Sequence, residues 1–188
     1  AFEVYKNFGP MSGGSLRHPH FQIVGLNNYD VYQNITLRNF TGVAVTQDDQ
    51  REITLSTNPI IGFVEINIAI KEIAQIDSLA DAVHVIVRYL LHDYMGGRLS
   101  SYNLFFYQLD GKFYCKIVPR YATSPYFVGY KIAQVQNPQR LAEIAQDISE
   151  RLDNQWWSLM LEWVENGLIR PLSAWKWWNR FFIKQFLV

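Results

Sequence analysis

The sequence predicts an α+β fold, a mainly antiparallel sheet flanked by helices. Three observations point there. Short runs rich in β-branched and aromatic residues, some alternating apolar with polar, fill much of the first 70 residues. One long segment of helical period follows them. A hairpin signal and a proline-led helix come next, so strands, helix, hairpin and helix follow in blocks rather than as repeated strand–helix units.

Residues 2–7 read as a strand. It is already under way at Ala1-Phe2 with no initiator methionine, so the chain is expected to be a fragment of something longer. A glycine-rich loop over 9–17 leads to a strand expected over 18–26. Residues 30–57 hold two or three short β runs, including 42–45 and 53–55, and 62–70 alternates as a further strand. The first helix is expected over 78–95, capped by Asp77 or Ser78 and stopped by Gly96-Gly97, with Leu79, Val83, Ile86, Val87, Leu90 and Leu91 at helical spacing. Residues 102–109 and 112–118 form two strands joined by Asp110-Gly111, a strong turn dipeptide. A strand is expected over 126–133. Asn137 then caps a helix with Pro138 in its first position, running to about residue 153. A second helix is expected over 155–165 and a last one after Pro171.

Composition narrows the function. The 188 residues fit one domain, with 49% apolar and 15% aromatic residues to build a core. Charge is balanced at 17 basic and 17 acidic residues, so no net field recruits nucleic acid, and any anion site must be local. The single cysteine, Cys115, excludes an internal disulfide and a thiolate zinc site within the chain, and suits a reducing, cytoplasmic setting. No run reaches the roughly 18 apolar residues of a membrane span. All six tryptophans lie after residue 155. The chain therefore divides into an expected catalytic domain at 1–153 and a helical, aromatic extension at 154–188. On its final helix Lys176, Arg180 and Lys184 stand four apart, a basic stripe that offers a membrane-surface alternative to packing on the domain or across a dimer.

The chemistry concentrates between Gly13 and Gln22. As a strand, this run would put His18, His20 and Gln22 on one face, behind a Gly13-Gly14-Ser15 loop. Glycine N–H groups can cradle a phosphate, and the Ser15 hydroxyl can donate to it. A neutral imidazole at His20 can attack phosphorus, splitting one difficult displacement into two. Gln22 can donate its amide to a phosphate oxygen. Arg17 and Lys6 are candidates to neutralise phosphate charge. His18 orients the site or binds a metal. His84 and His92 lie eight residues apart on the first helix and read as packing or surface residues.

This segment resembles the galactose-1-phosphate uridylyltransferase branch of the histidine-triad superfamily, whose pattern is Gly-x-Ser-x-x-His-Pro-His-x-Gln. Diadenosine tetraphosphate phosphorylases share the His-x-His-x-Gln part. More weakly, Tyr5-Lys6-Asn7-Phe8-Gly9 is similar to the run before the family's loop, which adds Asn7 to the candidate site. Ile117-Val118-Pro119-Arg120 and Tyr126-Phe127-Val128-Gly129-Tyr130 are similar to its second half-repeat. The resemblance covers about residues 2–152. It implies a histidine-triad-like fold and a covalent nucleotidyl intermediate on His20, with Ser15 and Gln22 on the phosphates. It also implies Tyr126, Val128 and Tyr130 near the substrate, and a homodimer. The chain departs from the family in lacking its Cys-x-x-Cys zinc pair and second His-x-His, and in having Lys6 where uridylyltransferases have a carboxylate. Zinc is expected only if an upstream Cys-x-x-Cys exists, with His18 as a ligand.

The leading expectation is a nucleotidyltransferase acting on a nucleotide sugar or dinucleoside polyphosphate. Gln22 in place of a third histidine favours transfer over hydrolysis, because no further imidazole manages protons for water. A nucleotide phosphohydrolase on the same site and a non-catalytic nucleotide-binding module are the alternatives.

Overall fold

The computed structural model describes residues 2–16, 18–121 and 123–166, with side chains to residue 154. Seven strands among them form one antiparallel sheet: β1 (Phe2–Phe8), β2 (Gln22–Gly25), β3 (Gly42–Gln47), β4 (Glu52–Ser56), β5 (Ile66–Ile70), β6 (Tyr102–Leu109) and β7 (Lys112–Pro119). Their order is β2-β1-β6-β7-β5-β4-β3. The β6–β7 turn is the predicted one: Asp110 and Gly111 both take positive φ, 50° and 72°, as a two-residue hairpin turn requires.

Alternation decides which face is core. Ile53 and Leu55 of β4, Ile66, Ile68 and Ile70 of β5, Leu104 and Phe106 of β6, and Cys115 and Ile117 of β7 share one buried cluster. The helices α1 (Ile76–His92) and α3 (Pro138–Asn166) supply Leu79, Ile86, Leu90, Leu141, Ile144 and Ile148 to it. Each such side chain contributes roughly 1.5–3 kcal/mol of burial. The residues between them, Thr54, Asn67, Asn103 and Lys116, point to the other face. No helix among the described residues is long and apolar enough to cross a membrane.

Four expectations change. The 18–26 strand is only Gln22–Gly25; Pro19 has no N–H to give a ladder, and pairing with β1 stops at Tyr5↔Gln22. The 62–70 strand begins at Ile66, because Gly62 (φ 131°) and Phe63 (φ 62°) turn the chain first. Residues 126–133 are no strand: α2 (Pro125–Tyr130) forms there, because Pro125 fits a first helical position and the Ser124 hydroxyl accepts from the Tyr126 N–H at 3.2 Å. Local capping decides for the helix. Finally, the two helices expected between 137 and 165 are one, α3, capped by Asn137 as predicted through its side chain to the Arg140 N–H at 2.7 Å.

The first helix also shifts. It starts at Ile76, after a 3-10 turn at Ile73–Gln75, and ends at His92 before a second such turn at Tyr94–Gly96. Gln75 takes the capping position rather than Asp77 or Ser78, its amide oxygen accepting from Lys71 and Glu72 N–H groups. The Trp-rich final helix and the stripe at Lys176, Arg180 and Lys184 lie outside the described residues.

Candidate functional site

The site lies at one end of the face turned away from α1 and α3. Strand pairing sets a row across it. Asn7 of β1 pairs with Asn103 of β6, which pairs with Val118 of β7. The β1–β2 pairing ends at Tyr5↔Gln22, and His20 stands two residues before Gln22, just outside the strand. Arg120 continues β7 by two residues past Val118, and its N–H donates to Ser101 O at 2.8 Å.

The row holds the glycine loop. Asn103 Nδ2 donates to Asn7 Oδ1 at 2.5 Å and to Ser12 O at 3.0 Å. Arg120 Nη1 donates to Asn103 Oδ1 at 2.9 Å. From the other side Met11 N–H donates to Ser101 Oγ at 3.0 Å, and the Ser12 hydroxyl closes the turn on Gly9 O at 2.7 Å. Gly9 has to be glycine, since a Cβ there would meet Ser100 O at 2.1 Å. Gly13 takes φ +84° with open space around it, and Gly14 lies so close to Asn7 that a Cβ would meet the Asn7 Cβ at 2.9 Å. Ser15 is exposed and has no hydrogen-bond partner among the described residues.

Beyond the loop the three predicted side chains do converge, although without a strand. His20 Nδ1 lies 2.8 Å from His18 O. A carbonyl only accepts, so that partner assigns the proton to Nδ1 and leaves Nε2 bare. Gln22 Nε2 lies 3.2 Å from this bare nitrogen and donates to it. The rings of His18 and His20 are 5.3 Å apart between centres, with His18 exposed and His20 half-buried. A bare imidazole nitrogen, aligned by its own neighbour's carbonyl beside a glycine loop, is equipped to attack an electrophile and to spread the resulting positive charge over the ring.

A cavity of about 330 Å³ opens further along the same face. Tyr5, Phe105, Tyr107 and Val118 line it from the sheet, and Tyr32, Ile35, Ile60 and Ile61 from the loops above. A buried ion pair, Lys116 Nζ to Glu65 Oε2 at 3.0 Å, lies in its floor. The ammonium also donates to Asn39 O (2.8 Å) and Ser56 Oγ (2.9 Å) and faces the Phe40 ring at 4.9 Å. The carboxylate accepts from the N–H groups of Ile60 (2.9 Å), Ile61 (2.8 Å) and Gly62 (3.4 Å). Burial pulls the Lys116 ammonium below the ordinary lysine value, partly offset by Glu65.

Two predicted groups make no contact with His20 among the described residues. Lys6 pairs with Leu104 and so faces the helix side, 5.5 Å over the Phe21 ring; burial lowers its pKa. Strand parity explains this, since neighbours on β1 point oppositely. Tyr126, Val128 and Tyr130 lie on α2, 55%, 67% and 76% exposed, with no hydrogen bond or ring contact to His20 among the described residues. Arg17 lies outside the described residues. For zinc, no group of three His, Cys, Asp or Glu side chains that could hold a metal occurs among the described residues, so His18 would need ligands from elsewhere. His84 is shifted below the ordinary histidine value by burial and by Arg88, and lies on α1.

Sequence reasoning missed Ser12, Ser101, Asn103 and the bracing role of Arg120. Asn103 carried a signal: it is an amide between Tyr102 and Leu104 in a mostly apolar strand. Ser101 meets the loop at Met11 from 90 residues away, and Arg120 braces Ser101 and Asn103 behind it, and spacing gives no hint of either.

Comparison with known proteins adds the lineage. The family model described as the C-terminal domain of a domain of unknown function, DUF4931, matches residues 32–152, and its N-terminal domain matches residues 1–29. A crystal structure of a DUF4931 family protein from Bacillus cereus ATCC 10987 superposes with a TM-score of 0.70 at 44% identity, covering 80% of this chain and 68% of that one. No curated protein matches. By both family model and solved relative, this chain belongs to the DUF4931 family.

Proposed function

We propose that the chain is a nucleotidyltransferase of histidine-triad-like, galactose-1-phosphate uridylyltransferase type, working through a covalent nucleotidyl group on His20. The observation that carries this reading is the His20 imidazole: Nδ1–H held by His18 O at 2.8 Å, and Nε2 bare and facing Gln22 at 3.2 Å, beside the glycine loop.

The bare Nε2 lone pair forms a bond to the α-phosphorus of a nucleotide sugar or dinucleoside polyphosphate. The bond from phosphorus to the bridging oxygen breaks, and a sugar phosphate or nucleotide leaves as an anion that needs no proton near pH 7. The imidazole, now bonded at both nitrogens, carries positive charge that His18 O stabilises through Nδ1–H. Gln22 exchanges its contact with Nε2 for a phosphate oxygen, and loop N–H groups with the Ser15 hydroxyl hold the others. An acceptor phosphate oxygen then attacks the same phosphorus and the P–N bond breaks, restoring His20. Water as acceptor would give hydrolysis instead. The apolar cavity beside Tyr5 and Phe105 offers room for a base or sugar. A homodimer in the cytoplasm belongs to the same proposal.

Intact-mass measurement after incubation with nucleotide sugars and diadenosine polyphosphates tests it. The expected result is an acid-labile mass gain of one nucleotidyl group, absent in His20→Ala. An adduct that survives in His20→Ala, or no adduct with any of these donors, overturns the mechanism.

A further inference from the structure

A phosphate chain held by backbone N–H groups still needs a cation; of the two expected, Lys6 faces the helix side of the sheet and Arg17 lies outside the described residues, while Lys116, on the same face as the site, is closed on Glu65. We propose that Arg120 is a cation of this site, the one the described residues supply, binding the phosphates of the substrate. This deepens the nucleotidyltransferase reading and rests on it for the identity of the ligand, though not for the anion site itself.

Four observations converge on Arg120. It is half-buried, where a guanidinium costs desolvation unless something compensates it. No carboxylate pairs with it among the described residues, whose ion pairs are Lys112–Glu52, Lys116–Glu65, Arg140–Glu143 and Arg151–Asp93. Its side chain donates only through Nη1, to Asn103 Oδ1 at 2.9 Å, which leaves the rest of its planar fork unclaimed among the described residues. The same Asn103 holds Ser12 O, and the Arg120 N–H is fixed on Ser101, whose hydroxyl holds Met11. The charge is therefore tied to the turn that presents Gly13 and Gly14. Asn103 is a positioning residue: its amide oxygen aims the guanidinium while its amide nitrogen aims the loop. A neutral amide does this where a carboxylate would cancel the charge an anion needs.

The test uses the full chain and inorganic pyrophosphate, which has no base or sugar to bind elsewhere. Calorimetric titration is expected to show binding that weakens at least tenfold in Arg120→Gln, recovers in part in Arg120→Lys, and persists in His20→Ala. Peptide mapping after phenylglyoxal treatment of the unmutated chain covers the case in which Arg120→Gln does not fold: pyrophosphate is expected to protect Arg120 from modification. Unchanged binding in a folded Arg120→Gln, absence of binding by the unmutated chain, or no protection overturns the proposal. The two readings fail separately. Pyrophosphate binding that depends on Arg120, with no adduct on His20, removes nucleotidyl transfer and keeps the anion site. A His20 adduct formed at an unchanged rate in Arg120→Gln removes Arg120 and keeps the transfer.

Discussion

Lys116 and Arg120 lie four residues apart on one strand line, on the same face of the sheet, and end in opposite situations. The Lys116 ammonium has a carboxylate, a carbonyl and a hydroxyl within 3.0 Å, and the Glu65 carboxylate opposite is filled by backbone N–H groups. Nothing in that network remains to be offered to a ligand. Arg120 has one amide oxygen and, among the described residues, an open fork. The difference separates a polar cluster that organises chain from one that is set out for a partner. Glu65 gathers residues 60–62 and Lys116 fastens Asn39, in the floor of the cavity; Asn103 fastens the glycine loop and Arg120, whose other guanidinium donors have no partner among the described residues.

The closed network is the place for the largest effect. Lys116→Met leaves Glu65 buried without its counter-charge and is expected to destabilise the fold by about 3–5 kcal/mol in urea unfolding. Replacing both partners, Lys116→Met with Glu65→Leu, is expected to recover a large part of that loss, because no lone charge is left behind. A single variant that unfolds at the wild-type urea concentration would mean the two networks do not differ as described.

The open network trades stability for binding. Asn103→Leu removes the amide that joins Asn7, Ser12 and Arg120, and is expected to cost about 1–3 kcal/mol from the groups left unpaired. Its rate of adduct formation on His20 is expected to fall at least tenfold, since loop and guanidinium lose their shared anchor. A variant with lower stability and an unchanged rate would make Asn103 a structural residue alone.

These contrasts show how far the sequence could be read. The glycine loop, His18, His20 and Gln22 were legible because they lie within ten residues and interact locally. The α+β class and the β6–β7 hairpin were legible from periodicity and one turn dipeptide. Lys6 was misplaced although the information existed: it has the parity of Val4 and Phe8, and Asn7 that of Tyr5, so only one of the pair could face the loop. Residues 126–130 form a helix rather than the expected strand because Ser124-Pro125 supplies a cap and a first-turn residue. Arg120 and Ser101 were illegible as parts of the loop's support, because strand pairing between distant segments, not spacing, brings Ser101 to Met11 and Arg120 to Asn103.

A smaller effect separates the two faces by pH. Cys115 is fully buried on the helix side, and burial raises its thiol far above the usual 9.0. The unfolded chain therefore loses this proton above about pH 9 while the folded chain keeps it, and stability falls as pH rises. The contribution is at most about 1.4 kcal/mol per pH unit for one proton. Cys115→Ala lowers stability at pH 7 by leaving a cavity, yet its stability is expected to fall less steeply between pH 9 and 10.5. Equal slopes for the two proteins would show that Cys115 does not titrate on unfolding.

The smallest expected effect on stability lies in the loop itself, at two neighbouring glycines. Gly13 needs φ +84° but has nothing within 4 Å of where a Cβ would stand. Gly14 has no such dihedral requirement but its Cβ would meet Asn7 Cβ at 2.9 Å. Gly13→Ala is thus a pure backbone perturbation, expected to cost about 1–2 kcal/mol. Gly14→Ala instead forces the loop away from Asn7, with little strain of its own, because the exposed loop can move outward. If the loop's N–H groups hold phosphate only when seated on Asn7, Gly14→Ala should weaken pyrophosphate binding more than Gly13→Ala does, while lowering the melting temperature less. The reverse ranking in binding would mean that the left-handed turn at Gly13, rather than the seat on Asn7, shapes the anion site, and would detach the loop from the Asn103–Arg120 network.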